Sequence, residues 1–203
     1  MKQGIDVSYA QKGFDFKEAE RQGIEFAICR LSWGDHSGYV EQDEEFVENI
    51  NGAIDAGIKV GVYHFFGATN PGDARLEAEQ FISLYKSLVT EGITDDVGIW
   101  LDVEGEPGQV LTGVDMQTLT DSVSAFIVKC NEAGINIGIY ANYDWLENHI
   151  DVSQLADYVC FWLSELDDKP CWKYEHPEKN VPLWQYSFTG NVGGIDVDLD
   201  MMF

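Results

Sequence analysis

Basic residues are scarce in this sequence: 12 Lys and Arg stand against 36 Asp and Glu in 203 residues, for a formal net charge of −24. A surface of that sign repels phosphate backbones and anionic bilayers, so nucleic acid and membrane are excluded as partners. Long apolar runs are missing too, and no stretch approaches the roughly 20 residues of a membrane span. The opening "MKQGIDVSYAQ" turns strand-like after one Lys and lacks an apolar region of the signal type, so no export signal is expected. Cys29, Cys130, Cys160 and Cys171 show no CxxC spacing and lie mostly in apolar segments. They are expected to be buried free thiols and not a zinc site, with a Cys160–Cys171 bridge left open. Among His36, His64, His149 and His176 there is no HxxxH or HxH pattern, so neither a metal nor a cofactor is expected.

What is abundant is apolar and aromatic residues, at 45% and 13% of the chain. That is enough to bury a sizeable core, and residues 1–203 are expected to form one domain of the larger α/β or barrel kind. The acid-rich runs "EQDEEFVEN" and "ELDDK" read as solvated helix faces or loops. A repeat organises the rest. "QGIEFAICRLSWG", "AGIKVGVYHFFG" and "AGINIGIYANYD" each place a Gly before an apolar run and follow an amphipathic stretch. The unit is helix, glycine stop, strand. "VGIWLDVEG" fits the same register, and aligning the small residues Ala27, Gly61, Gly98 and Gly138 puts Leu31, Phe65, Asp102 and Asn142 at one level. Five βα units are expected, with helices near 16–22, 44–56, 73–88, 115–133 and 143–149. "YVCFWLS", "PLWQYS" and "GGIDVDLDMMF" then read as three strands without further long helices. The architecture implied is α/β: a single TIM-like β/α barrel, (β/α)5(β)3, with eight strands and five main helices.

In "VGIWLDVEGEP", a run with the pattern of a core strand ends in two acids, Asp102 and Glu104, that share one face because strand side chains alternate. In a barrel both stand at the C-terminal mouth, joined by Asp6 from the first strand and by one of Asp196, Asp198 or Asp200 from the last. Like charges gathered out of water raise at least one pKa, a cost that suggests a purpose. Glycoside hydrolysis needs such a pair: one acid holds a proton for the leaving oxygen while an ionised neighbour stabilises charge at the sugar. Tyr63, Trp100, Tyr140, Trp162, Trp184 and Tyr186 all fall in expected strands, and flat rings with polar edges suit sugar faces. The substrate-binding set expected is Tyr63, Tyr140, Trp184, Phe65, Trp162 and Gln185.

"GIDVSYAQ", "GVYHFF", "WLDVEG", "IGIYANY", "LWQYS" and "GGIDVDLD", in this order across nearly the whole chain, resemble the successive motifs of glycoside hydrolase family 25 lysozymes, the Chalaropsis-type muramidases of bacteria, fungi and phage endolysins. The resemblance implies hydrolysis of the β-1,4 bond between N-acetylmuramic acid and N-acetylglucosamine in peptidoglycan. It assigns Glu104 as general acid, Asp102 as its assisting partner, and Asp6 and Asp198 as supporting carboxylates. Only the match of "VDLD" chooses Asp198 over its neighbours of equal parity. It also implies action on the bacterial cell wall, extracellularly or on release at phage lysis, with the substrate's 2-acetamido group taking part; a monomer is the default expected for a barrel of this size. The sixth strand, "VCFWLSE", and the acidic "ELDDKPCW" after it depart from the family pattern. A sugar-binding barrel without turnover and a metal-dependent hydrolase are the competing readings; intact carboxylates argue against the first.

Overall fold

Three of the expected helix stops fold as the glycine pattern demands. In a computed structural model describing residues 1–88, 97–105 and 108–203, helices α1 (Phe16–Arg21), α2 (Phe46–Asp55) and α4 (Met116–Glu132) are each followed by a glycine at positive φ: Gly23, Gly57 and Gly134. An L side chain there would meet the steric penalty of the left-handed region. Side chains fix the starts: Asp15 accepts from the Glu18 amide before α1, Asp115 from Thr118 before α4, and Asn142 from Trp145 before α5 (Tyr143–Asn148). Each satisfies an amide that the first helical turn leaves without a partner. The remaining helices are α3 (Pro71–Leu88) and a five-residue α6 (Cys171–Glu175).

Among the described residues there are nine strands in one sheet: β1 (Lys2–Val7), β2 (Phe26–Gly34), β3 (Val40–Gln42), β4 (Lys59–Phe65), β5 (Ile99–Asp102), β6 (Gly138–Asn142), β7 (Cys160–Ser164), β8 (Asn180–Val192) and β9 (Ile195–Met202). Pairing of β1 with both β2 and β9 closes eight of them into a barrel. Closure removes the two open edges. The extra strand, β3, is three residues long and lies antiparallel on β2, at the sheet margin. The expected eight strands and five main helices are therefore present, with β3 and α6 as additions. Glu106 and Pro107, which end "VGIWLDVEGEP", lie outside the described residues.

Two features depart from the parallel order of a TIM barrel and from the repeat alignment. The last strand is antiparallel to both neighbours, because β8 and β9 are joined by a tight Gly193–Gly194 turn too short for a crossover. The repeat alignment also slips. Gly61 pairs with Ile28 and not Ala27, and Trp100 pairs with Gly138. A one-residue slip exchanges faces, so Cys29 points outward and Arg30 inward.

Packing divides the apolar residues in two. Phe26, Ile28, Tyr63, Trp100, Tyr140, Trp162, Leu183 and Met202 fill the barrel interior, while a larger layer lies between strands and helices. Space for the inner rings is made by missing side chains: a Cβ on Gly4 would meet the Phe26 ring, and one on Gly138 the Trp100 ring. The inner aromatics thus act mainly as a floor beneath the mouth.

Candidate active site

The mouth is built where polar residues replace rings at the inward positions. Asp6 and Asp198 lie directly opposite each other on β1 and β9. Asp102 ends β5, paired on one side with Phe65 and on the other with Tyr140. Glu104 follows two residues on, half-buried, beyond the last hydrogen-bonded pair. Tyr140 donates its hydroxyl to Gln185 Oε1 at 2.7 Å, and Gln185 Nε2 donates to Asp6 Oδ2 at 2.8 Å. A longer contact of 3.5 Å joins the same nitrogen to Asp198 Oδ2. Gln185, almost fully buried on β8, is thus the bridge between the acids of β1 and β9 and the aromatic floor.

The acids perturb one another strongly. Burial, reinforced by the Asp198 charge, pushes the Asp6 carboxyl up to about 7, against the opposing hydrogen bond from Gln185. Asp102 is raised well above the usual carboxylate range, chiefly by burial and then by Glu104 and Asp6, while Arg30 pulls it down. Asp198 is raised by burial as well. Asp102 Oδ1 is sealed from solvent and accepts no hydrogen bond among the described residues. Carboxyls raised together in this way can keep a proton near neutrality.

Arg30 was not singled out from the sequence, because the slipped register hid its inward direction. Its Nε donates to Asp43 Oδ2 at 2.7 Å, and its guanidinium lies 4.8 Å from the Tyr9 ring centroid and 5.3 Å from that of Trp33. Asp43 belongs to the run "EQDEEFVEN", read as solvated, yet it is fully buried and also accepts from the Tyr9 and Glu45 amides. Glu165 of "ELDDK" corrects that reading too: it is buried and accepts from the Trp172 amide. Burial of an acid in a charged run follows from the partner waiting for it, which the run itself does not contain.

Two hollows meet at Phe65. One, of about 410 Å³, is lined by Glu104, Phe65, His36 and Gln109 among others. The second, of about 470 Å³, is lined by Arg30, Tyr9, Trp33, Glu41, Glu44 and Phe65. Phe65 lines both; Tyr63 and Tyr140 are buried in the barrel interior and line neither. Two other expected contacts also stand apart from the hollows. Trp184 faces outward: its neighbour Gln185 points in, strand residues alternate, and its indole nitrogen donates to the Glu165 carbonyl. Trp162 points inward but is 1% exposed, with its Nε1 donating to Asp200 Oδ1 at 2.8 Å. It supports the acids from below.

All four cysteines are free, so Cys160 and Cys171 form no bridge. Among the described residues one trio, Glu165, Asp167 and Cys171, brings potential metal-ligand atoms within 4.8 Å of one another, and none of these is in the acid ring. No described helix is long and apolar enough to cross a membrane.

A family model described as glycosyl hydrolases family 25 matches residues 5–195. The chain is similar to the Lysozyme M1 of Streptomyces globisporus, at 27% identity over 98% of this chain and 66% of that protein. It is similar to the autolytic lysozyme of Clostridium acetobutylicum, at 24% identity over 98% of this chain and 54% of that protein. The chain thus spans between about half and two thirds of the length of these relatives. Its fold matches that of a modular autolysin from Streptococcus pneumoniae solved in complex with synthetic peptidoglycan ligand, with a TM-score of 0.81 at 23% identity, over 100% of this chain and 46% of that one.

Proposed function

From the premise that the chain belongs to glycosyl hydrolases family 25, we propose that it is a lysozyme of the muramidase type, cleaving the β-1,4 bond between N-acetylmuramic acid and N-acetylglucosamine in peptidoglycan. The observation that carries this reading is the convergence of Asp6, Asp102, Asp198 and Glu104 on one open mouth, with protons held at raised carboxyls. Its place of action is the bacterial cell wall, and residues 1–203 work as one monomeric barrel.

Glu104 is the general acid. Its proton passes to the glycosidic oxygen as the C1–O bond breaks, which spares the leaving sugar a costly alkoxide. The route needs Asp102 ionised and Glu104 protonated; the Arg30 charge favours ionisation of Asp102, against burial and the Glu104 and Asp6 charges. In this route the Asp102 carboxylate accepts the N–H of the sugar's 2-acetamido group. Its charge orients that group so that the acetamido oxygen bonds C1 as the leaving group departs, giving an oxazolinium-like intermediate. Glu104, now ionised, takes a proton from water, which attacks C1 and reopens the ring. Asp6 and Asp198, tied through Gln185, position sugar and water on the opposite wall.

Turbidity of a peptidoglycan suspension tests the assignment. Glu104→Gln is expected to lower clearance by roughly a hundred- to ten-thousandfold, and mass spectrometry of wild-type products to show reducing N-acetylmuramic acid ends. Wall binding with no clearance by the wild type would support a silent sugar-binding barrel instead. A product anomer of inverted configuration would remove the acetamido route and leave Glu104 as acid.

A further inference from the structure

Asp200 points into the barrel one level beneath Asp198 and has no part in the chemistry above. It is fully buried, at 0% exposure. Its Oδ1 accepts the Trp162 indole N–H at 2.8 Å. Its Oδ2 is sealed from solvent and accepts from no N–H or hydroxyl among the described residues. Its diagonal cross-strand neighbour on the inner face is Asp6, two residues past its register partner Gly4, and the two carboxyls are hydrogen-bonding partners. Two carboxylates cannot hydrogen-bond to each other; one of them must carry a proton.

The surroundings decide which. Asp6 is half-buried at the mouth and already accepts from Gln185 Nε2 at 2.8 Å, a bond that favours its charged form. Asp200 lies deeper, with a single neutral donor on the other oxygen. Charge settles where water and donors are richer, and the proton where they are poorer. We propose that Asp200 is a positioning residue: a neutral carboxylic acid that donates from Oδ2 to Asp6, and so fixes the Asp6 carboxylate against Asp198 and the sugar. The direction of its titration agrees, since burial, with the Asp6 charge next, raises Asp200 well above the carboxylate range, and the same hydrogen bond lowers Asp6. The positioning role rests on the lytic reading of Asp6; the proton on Asp200 does not.

Infrared difference spectra of the wild type against Asp200→Asn, taken on the free protein at pH 7, test the proton without any turnover. One neutral-carboxyl C=O band is expected to vanish; loss of a carboxylate band in its place overturns the proposal. Clearance tests the positioning. Asp200→Leu cannot donate, and is expected to slow clearance roughly ten- to a hundredfold and to move the acidic limb of the pH profile upward, because Asp6 loses a bond to its charged form. Asp200→Asn keeps a carbonyl for Trp162 and an amide for Asp6, so it is expected to restore most of the rate and of the profile. A Leu variant with wild-type rate and profile overturns the role. Where unfolding curves show that the Leu variant does not fold, the Asn variant decides: a rate tenfold or more below wild type overturns it. A wild type that clears no peptidoglycan sinks the lytic reading and leaves the spectroscopic answer standing.

Discussion

Replacing Asp6 by Asn should stabilise the protein at neutral pH while removing most of its activity. The Asp6 carboxyl rises from 3.8 to about 7 on folding, through burial and the nearby Asp198 charge. That is a difference of about three pH units, and at ~1.4 kcal/mol per unit the folded state gives up about 4 kcal/mol once the group is ionised. The sign follows from proton binding. Between pH 4 and 7 the folded protein holds more protons on this site than the unfolded chain does, so the site's contribution to stability is full below the unfolded pKa and is lost as pH rises through 7. An Asn has no charge to bury. Its amide, however, must turn toward either Gln185 Nε2 or Asp200, and one lost hydrogen bond offsets about 1–2 kcal/mol of the gain. The net expectation is that the Asp6→Asn variant is more stable by roughly 2–3 kcal/mol at pH 8, and less stable by about 1–2 kcal/mol near pH 4, where only the lost hydrogen bond remains. Urea unfolding of both proteins at pH 4, 6 and 8 measures it. A difference that is independent of pH, or that favours the wild type more at pH 8 than at pH 4, would refute the account of the acid ring as a stability cost kept for function.

Other consequences follow from the same contacts. Arg30→Met removes the cation that lowers Asp102, so the acidic limb of the clearance profile should move up; an unmoved limb would show that Arg30 does not act on Asp102. Glu77, fully buried, accepts from His64 Nε2 and from the Gly67 amide, both at 2.9 Å, so Glu77→Leu should cost about 3–5 kcal/mol in chemical unfolding. A loss below about 1 kcal/mol would mean those partners find water. A net charge of −24 opposes approach to anionic walls, and clearance should be slower at ~0.01 M than at ~0.15 M salt. A flat or inverted salt titration contradicts that.

Local rules carried much of the architecture. The glycine stops at Gly23, Gly57 and Gly134 and the apolar runs after them are features that neighbouring residues dictate, because the left-handed backbone and the strand period need no distant partner. The exchange of faces at β2 was not legible. Ala27 and Ile28 are both apolar, so either could oppose Gly61, and only the closed sheet selects Ile28. Arg30 went unread for that reason. Trp184 and Trp162 show the same limit: an aromatic in a strand can serve the outer layer, the floor or the mouth, and composition does not distinguish among the three. Asp43 and Glu165 looked like surface charge because the partners that hold them come from other elements.

The sequence by itself determined the helix–stop–strand order, the strand that ends in Asp102 and Glu104, and the presence of further acids on the first and last strands, since each is a matter of residues a few positions apart. Tertiary structure alone decided which of those acids meet. Asp6 faces Asp198 because β9 turns back antiparallel to close the barrel, and Asp200 lies one level lower, against Trp162, for the same reason. Three acids of equal parity on β9 look alike along the chain; closure fixes their depth, and depth sets how much water each retains and hence where the protons reside.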